Sequence, residues 1–172
     1  MPSEMSLASS FDRDLARSYG ALVGNEAKLK GNDLVYAPTV NILRTPLWGR
    51  AFESMGEDPF LTSSLAVDYI RGLQSEGVIG DVKHFAANNQ EGNAQGGSRF
   101  NVSAQIDERT LREIYLPAFE AAVKPGALGW SWAMFAFRGW QRLSWLDENV
   151  LSRVVPDELF YNVSVTGTKP LD

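Results

Sequence analysis

The segment Val78-Ile79-Gly80-Asp81-Val82-Lys83-His84-Phe85 decides how the chain is organised. It has the length of one strand and lies between a helical pattern and a long polar stretch. Its apolar residues are too consecutive for a strand with one wet face, so the expected element is a strand buried on both faces. Upstream, Leu65, Ala66, Tyr69, Ile70 and Leu73 form one helical stripe across Thr62–Glu76, and Gly77 stops that helix. Further upstream, Asp33–Pro38 repeats the buried-strand signature with Leu34, Val35 and Tyr36. Before it, Asp12–Lys30 is helical, with Leu15, Tyr19, Leu22, Val23 and Ala27 as the expected apolar face. Ser10 is the expected N-cap of that helix and Gly31 its stop. Downstream, Asp107 caps a third helix running through Leu111, Ile114, Tyr115, Ala118, Phe119, Ala122 and Val123, which Pro117 should kink or divide.

The order is helix, strand, helix, strand, helix. Strands alternating with amphipathic helices imply a parallel sheet with helical crossovers, an α/β fold. Beyond Gly126, Ala127–Trp145 holds four of the five Trp residues. Ala127–Phe137 is a candidate strand, Leu146–Val155 is weakly helical, and Tyr161–Thr166 alternates like a strand.

The 172 residues suit about one domain, and a net charge of −5 with 44% hydrophobic residues is ordinary for a globular chain. No apolar run approaches the roughly 18 residues of a membrane span. The acidic balance lacks the grouped Lys and Arg that a nucleic-acid partner needs. Zero Cys excludes disulfides, thiolate zinc sites and a Cys nucleophile, and a single His excludes His-rich metal sites. Met1–Ser10 lacks the basic and apolar segments of an export signal. Localisation, cytoplasmic or secreted, stays open.

In parallel α/β folds ligands bind beyond the carboxyl ends of strands. That rule selects Asn41–Asp58, the Lys83-His84 pair with the loop to Arg99, and the region of Met134–Arg138. Lys83 and His84 are adjacent, so both reach one ligand only if the strand ends between them. Together they offer donors and an acceptor suited to neighbouring hydroxyls. The structural alternative is a Lys83 that snorkels and a His84 hydrogen-bonded in the core. Trp48-Gly49-Arg50 can present a flat ring and a forked donor to a sugar; the alternative is an ion pair of Arg50 with Glu53 or Asp58. Glu53, Asp58, Asp81 and Glu91 are candidate carboxylates, but their spacing selects no pair for glycoside hydrolysis. The Gly-rich Glu91–Gly97 stretch has no Walker lysine and no dinucleotide spacing. Asn101-Val102-Ser103 and Asn162-Val163-Ser164 match the short glycosylation pattern.

Several ordered motifs carry a resemblance. They are Ala37-Pro38-Thr39-Val40-Asn41-Ile42, Arg44-Thr45-Pro46, Trp48-Gly49-Arg50 with Phe52-Glu53, and Gly56-Glu57-Asp58-Pro59. They continue with Val82-Lys83-His84-Phe85-Ala86-Ala87-Asn88-Asn89-Gln90-Glu91 and Asp107-Glu108-Arg109-Thr110-Leu111-Arg112-Glu113-Ile114-Tyr115-Leu116-Pro117. From about Leu7 to Lys124 the chain resembles the N-terminal barrel domain of glycoside hydrolase family 3, the β-glucosidase and β-xylosidase group. The resemblance implies an incomplete (β/α)8 TIM-type barrel over residues 1–124 and sugar hydroxyls bound by Arg50, Lys83 and His84. It further implies retaining hydrolysis of a β-linked glycoside or oligosaccharide, with no metal or organic cofactor.

The chain also departs from the family pattern. The family's nucleophile Asp, in its Gly-Phe setting, has no counterpart here, and the acid/base residue of a later domain is absent. No catalytic residue is therefore assigned, and the isolated chain is expected to be inactive. The alternative is a non-catalytic carbohydrate-binding or interaction protein derived from the enzyme. Residues 125–172 lose the resemblance and read as a diverged or frame-disrupted continuation. A partial barrel leaves sheet edges uncovered, so self-association is expected.

Overall fold

The computed structural model describes residues 1–89, 104–123 and 163–166, the last as a backbone strand. The Trp-rich segment, the expected elements at Ala127–Phe137 and Leu146–Val155, Glu91 and both glycosylation patterns' Asn residues lie outside the described residues.

The elements are α1 (Glu4–Ala8), α2 (Arg13–Leu29), β1 (Leu34–Val35), a single 3₁₀ turn (Ala51–Glu53), α3 (Pro59–Ser75), β2 (Ile79–Gly80), β3 (Ala104–Asp107), α4 (Glu108–Thr110) and α5 (Pro117–Val123), with β4 (Val163–Thr166) following. β1 pairs with β2 in parallel, Leu34 opposite Ile79 and Val35 opposite Gly80. β3 pairs with β4 in parallel. The alternation of helices with parallel strands is as expected, although the strands are shorter than their apolar runs. The β1 and β2 strands are not sealed on both faces either: Tyr36 is 63% and Ile79 40% exposed.

Beyond β1 and β2 the two chain segments stay in step. The Lys83 amide donates to the Pro38 carbonyl, and the Val40 amide to the Lys83 carbonyl. Thr39 makes parallel bridges to Lys83 on one side and Ser54 on the other. Three residues of the first segment, Tyr36, Ala37 and Pro38, span the gap bridged by Asp81 and Val82 in the second, which is a bulge. The residue after the bulge, Thr39, becomes the centre of three extended segments.

α2 and α3 pack against this sheet, α2 on β1 and α3 on β2. Leu65, Ala66, Tyr69, Ile70 and Leu73 of α3 are all buried, the stripe expected from the sequence. On α2 the expectation holds in part: Ala27 is buried and Tyr19 and Val23 pack against the core, but Leu15 and Leu22 are exposed, and the fully buried positions are Ala16, Gly20, Gly24 and Ala27. The reason is close backbone approach. A Cβ on Gly20 would sit 2.0 Å from the Tyr69 carbonyl oxygen, and one on Gly72 would sit 2.1 Å from the Arg17 carbonyl oxygen. Small residues therefore set the closest approach of α2 to α3, the Tyr19 and Tyr69 rings meet beside them with centroids 5.5 Å apart, and Leu15 and Leu22 are left to the outer face. Asp68 reinforces the contact by accepting from Arg13 of α2 and from Arg71 on its own helix.

The helix ends follow local chemistry. Asp12, rather than Ser10, caps α2, its Oδ1 accepting from the Asp14 and Leu15 amides. Asp58 caps α3, with Pro59 at the first helical position. Gly31 and Gly77 adopt φ of +77° and +72°, and the Asn32 and Val78 amides reach back to Ala27 and Leu73, closing both helices. Pro117 divides the third helix as expected. With no Pro117 N–H to donate, the Leu116 amide bonds five residues back to Leu111, and α5 starts afresh at Pro117.

Candidate functional site

The site forms where the extended segment after β1 is flanked by the 3₁₀ turn and by the segment after β2. Arg50 stands at the head of that turn and Glu53 at its end, so one turn of chain brings them face to face. Arg50 Nε donates to Glu53 Oε1 at 2.9 Å and Nη2 to Oε2 at 2.7 Å, a two-point ion pair. Lys83 Nζ lies 3.3 Å from the same Oε2, and the Thr39 hydroxyl donates to it at 3.4 Å. The Arg50 hydrogen bonds, with the Lys83 charge behind them, hold the Glu53 carboxyl down to about 2 although partial burial opposes them.

His84 approaches Arg50 from the other side, its Nε2 2.9 Å from Arg50 Nη1. Its protonation pattern follows from groups of fixed character. The His84 backbone amide, which can only donate, lies 2.8 Å from Asn41 Oδ1, so that atom is the amide oxygen. The same oxygen lies 2.9 Å from His84 Nδ1, which therefore carries the hydrogen. Nε2 is left as the acceptor for the arginine N–H. Asn41 is anchored in turn: its Nδ2 donates to the Asn88 carbonyl and to Asn89 Oδ1, and Asn89 Nδ2 donates to the Ile42 carbonyl. The Lys83–His84 peptide bond is cis.

The three residues selected from the sequence thus converge. β2 ends at Gly80, and both members of the adjacent pair reach the Arg50–Glu53 unit, Lys83 through the carboxylate and His84 through the guanidinium. The structural alternatives weighed for them are present in the same geometry. Arg50 is ion-paired with Glu53, and His84, 4% exposed, is a hydrogen-bonded core residue. Lys83 and Arg50 retain partial exposure at the surface of this cluster. The expectation for Trp48 is corrected: it is 4% exposed and presents no ring to a ligand. It packs inward, its carbonyl accepting from the Ala51 amide, so it supports the turn rather than lining a site.

The candidate carboxylates separate. Glu53 belongs to the cluster, Asp58 is a helix cap and Asp81 is fully buried. Among the described residues no group of three or more His, Asp or Glu could hold a metal ion, and no helix is long and apolar enough to cross a membrane.

Sequence reasoning missed Asn41, Asn89 and Glu4 as parts of the cluster. Asn41 had a signal: a buried polar residue between Val40 and Ile42 needs a partner. Glu4 had none. Its Oε2 accepts from the Thr39 amide at 2.9 Å, and burial pushes its carboxyl up to about 8 against the pull of that amide and of Lys83.

The model of the family described as "Glycosyl hydrolase family 3 N terminal domain" matches residues 1–141. The chain belongs to glycosyl hydrolase family 3. A β-glucosidase of Bacteroides ovatus is 49% identical over 130 residues, which cover 76% of this chain and 17% of that protein. The thermostable β-glucosidase B of Acetivibrio thermocellus is 49% identical over 123 residues, covering 72% of this chain and 16% of that one. Among solved structures, the β-glucosidase DesR of Streptomyces venezuelae, in complex with D-glucose, matches with a TM-score of 0.69 at 45% identity. The match covers 76% of this chain and 16% of DesR. β-Glucosidase 3B of Thermotoga neapolitana, in complex with glucose, matches with a TM-score of 0.65 at 46% identity, over 72% of this chain and 16% of that one. The family 3 chain described here therefore spans about a sixth of the length of these relatives.

Proposed function

We propose that this family 3 chain carries the glycone-recognition part of a retaining β-glycosidase of the β-glucosidase type. In this reading residues 1–124 are part of a (β/α)8 barrel, and residues 125–172 are its diverged or frame-disrupted continuation. Arg50, Lys83 and His84 are the substrate-binding residues. The observation that carries the reading is the convergence of these three side chains on the Arg50–Glu53 pair beyond the ends of two parallel strands. Similarity to β-glucosidases solved with glucose supports a β-linked glycoside as the ligand.

The chemistry follows from the geometry. Glu53, held ionised, fixes the guanidinium and steadies the Lys83 ammonium, which has three donors and spends one on Glu53. A pyranose offers neighbouring hydroxyls whose oxygens accept from the ammonium. Asn41 fixes the imidazole's tautomer, so His84 meets its neighbours in one defined orientation. None of these groups attacks an anomeric carbon or protonates a leaving group. Hydrolysis with retention needs two carboxyl groups about 5–5.5 Å apart across the scissile bond. The proposal assigns those two groups to parts of the enzyme outside this chain.

Calorimetry with D-glucose tests the reading. The 172-residue chain is expected to bind at millimolar concentration, and Arg50→Ala or Lys83→Ala to weaken binding about tenfold or more, as for loss of a charged hydrogen-bond donor. No heat at high sugar concentration would refute the reading. The same protein is expected to leave aryl β-glucosides uncleaved; turnover abolished by His84→Ala would show that the catalytic groups lie within the chain.

A further inference from the structure

The sugar cluster rests on a residue outside every motif discussed so far. Glu4 lies in the first turn of α1, and α1 packs against the 3₁₀ turn that carries Arg50 and Glu53. The Glu4 carboxyl oxygen Oε2 accepts from the Thr39 amide at 2.9 Å. Thr39 is the central one of three extended segments, bridged to Ser54 next to Glu53 and to Lys83 next to His84. Its hydroxyl donates to Glu53. A side chain on the first helix thereby holds the amide of the strand residue that both halves of the cluster adjoin.

We infer that Glu4 is a positioning residue for the sugar-binding cluster, acting through Thr39 on Glu53 and Lys83. The inference rests on the sugar-binding reading of Arg50, Lys83 and His84, and it adds a residue and a proton dependence to it. Holding one amide requires only an acceptor oxygen. An ionisable acceptor makes the charge of the cluster depend on a proton as well. Among the described residues the charged or titratable groups that interact with Glu4 are Lys83 beyond β2, Glu53 on the 3₁₀ turn, Tyr69 of α3 and Tyr19 of α2. Lys83 is the cation among them. When Glu4 ionises, a second carboxylate competes with Glu53 for that ammonium and draws it from the sugar-facing position. Because burial holds the carboxyl up to about 8, this change falls between pH 7 and 9.

The test uses the full chain, D-glucose and its one histidine, His84, whose ring resonances report on the cluster without any sugar. At pH 6.5 Glu4→Gln keeps the acceptor, so it is expected to match the parent in glucose affinity and in the His84 resonances. Glu4→Ala is expected to weaken glucose binding about three- to tenfold, the scale of one lost hydrogen bond, and to shift the His84 resonances. Raising the pH to 9 is expected to weaken glucose binding by the parent and to leave that of Glu4→Gln unchanged. Equal affinity and an unshifted His84 in Glu4→Ala overturn the inference, as does a loss in Glu4→Gln equal to that in Glu4→Ala. Should Glu4→Ala unfold, identical pH profiles of the parent and Glu4→Gln overturn it. If no variant binds glucose at any pH, the sugar-binding reading fails. The His84 resonances of parent and Glu4→Gln across the same pH range then decide whether Glu4 orders the cluster.

Discussion

Glu53 and Glu4 both accept from Thr39, one from its hydroxyl and one from its amide, and are displaced in opposite directions, to about 2 and about 8 from an ordinary 4.5. Their effects on stability run oppositely with pH. Glu53 binds protons less readily when folded, so its contribution is present above pH 4.5 and lost as pH falls toward 2. Glu4 holds its proton more tightly when folded, so its contribution is present below pH 4.5 and lost as pH rises through 8. Each effect is on the order of a few kcal/mol at most. The melting temperature is therefore expected to peak near pH 4.5. Glu53→Gln should flatten the acid side of that profile and Glu4→Gln the alkaline side. Thermal unfolding followed by circular dichroism between pH 2 and 9 checks this; a parent that grows steadily more stable from pH 5 to 8 would contradict it. At this scale the sequence was informative where a residue type announces its chemistry beside a strand end, as Arg50, Lys83 and His84 do. It was silent on Glu4, because a carboxyl near a chain start looks solvated until the fold sets it against an amide 35 residues away.

The packing of α2 on α3 shows what periodicity leaves out. Counting apolar residues assigns the α2 contact face to Leu15, Tyr19, Leu22, Val23 and Ala27; Tyr19, Val23 and Ala27 do face the core, but Leu15 and Leu22 do not, and the closest backbone contact runs along Ala16, Gly20 and Gly24. Hydrophobic pattern weighs side-chain volume, and here the deciding quantity is the absence of volume. The helix stops at Gly31 and Gly77 and the break at Pro117 were legible because these residues act through their own backbones, whereas the starts of α2 and α3, capped by Asp12 and Asp58 rather than at Ser10 and Thr62, were not. The strands were legible as positions but not in length, since pairing stops at the bulge before Thr39, a feature set by the partner segment. Gly20→Ala sets two effects in competition. Helix propensity favours alanine by about 1 kcal/mol, whereas a Cβ 2.0 Å from the Tyr69 carbonyl oxygen forces the helices apart. Backbone cannot move aside as a flexible side chain can, so overpacking wins. A net loss of about 2 kcal/mol or more is expected for Gly20→Ala and for Gly72→Ala. Urea unfolding measures it, and a variant as stable as the parent would mean that the helices separate without cost. Gly31→Ala is a different case: its Cβ would meet nothing within 4 Å, so any loss there comes from the positive φ alone.

For the molecule as a whole, the sheet itself is what needs cover. Parallel pairs are stable in proteins when helices or further strands seal both faces and neighbours occupy both edges. Here α2 and α3 pack against the strands, while Tyr36 and Ile79 remain exposed beside the β1–β2 pair. Leu47, Phe52 and Phe60, on and around the turn that carries Arg50, are exposed as well. Isolated exposed apolar residues are ordinary on any surface; apolar residues next to strand edges left unpaired among the described residues favour pairing with another chain. A protein of residues 1–172 is expected to self-associate, increasingly so as concentration rises, through strand edges rather than through the Arg50, Lys83 and His84 cluster. The two routes separate experimentally. Association through edges should persist in Lys83→Ala and in the presence of D-glucose, and should weaken when Tyr36 and Ile79 are both replaced by Lys, which places charge beside the open edge. Light scattering over a tenfold concentration range reads the outcome. A monodisperse monomer throughout would mean that the edges are already covered within the chain, and glucose-dependent dissociation would mean that the contact runs through Arg50, Lys83 and His84 instead.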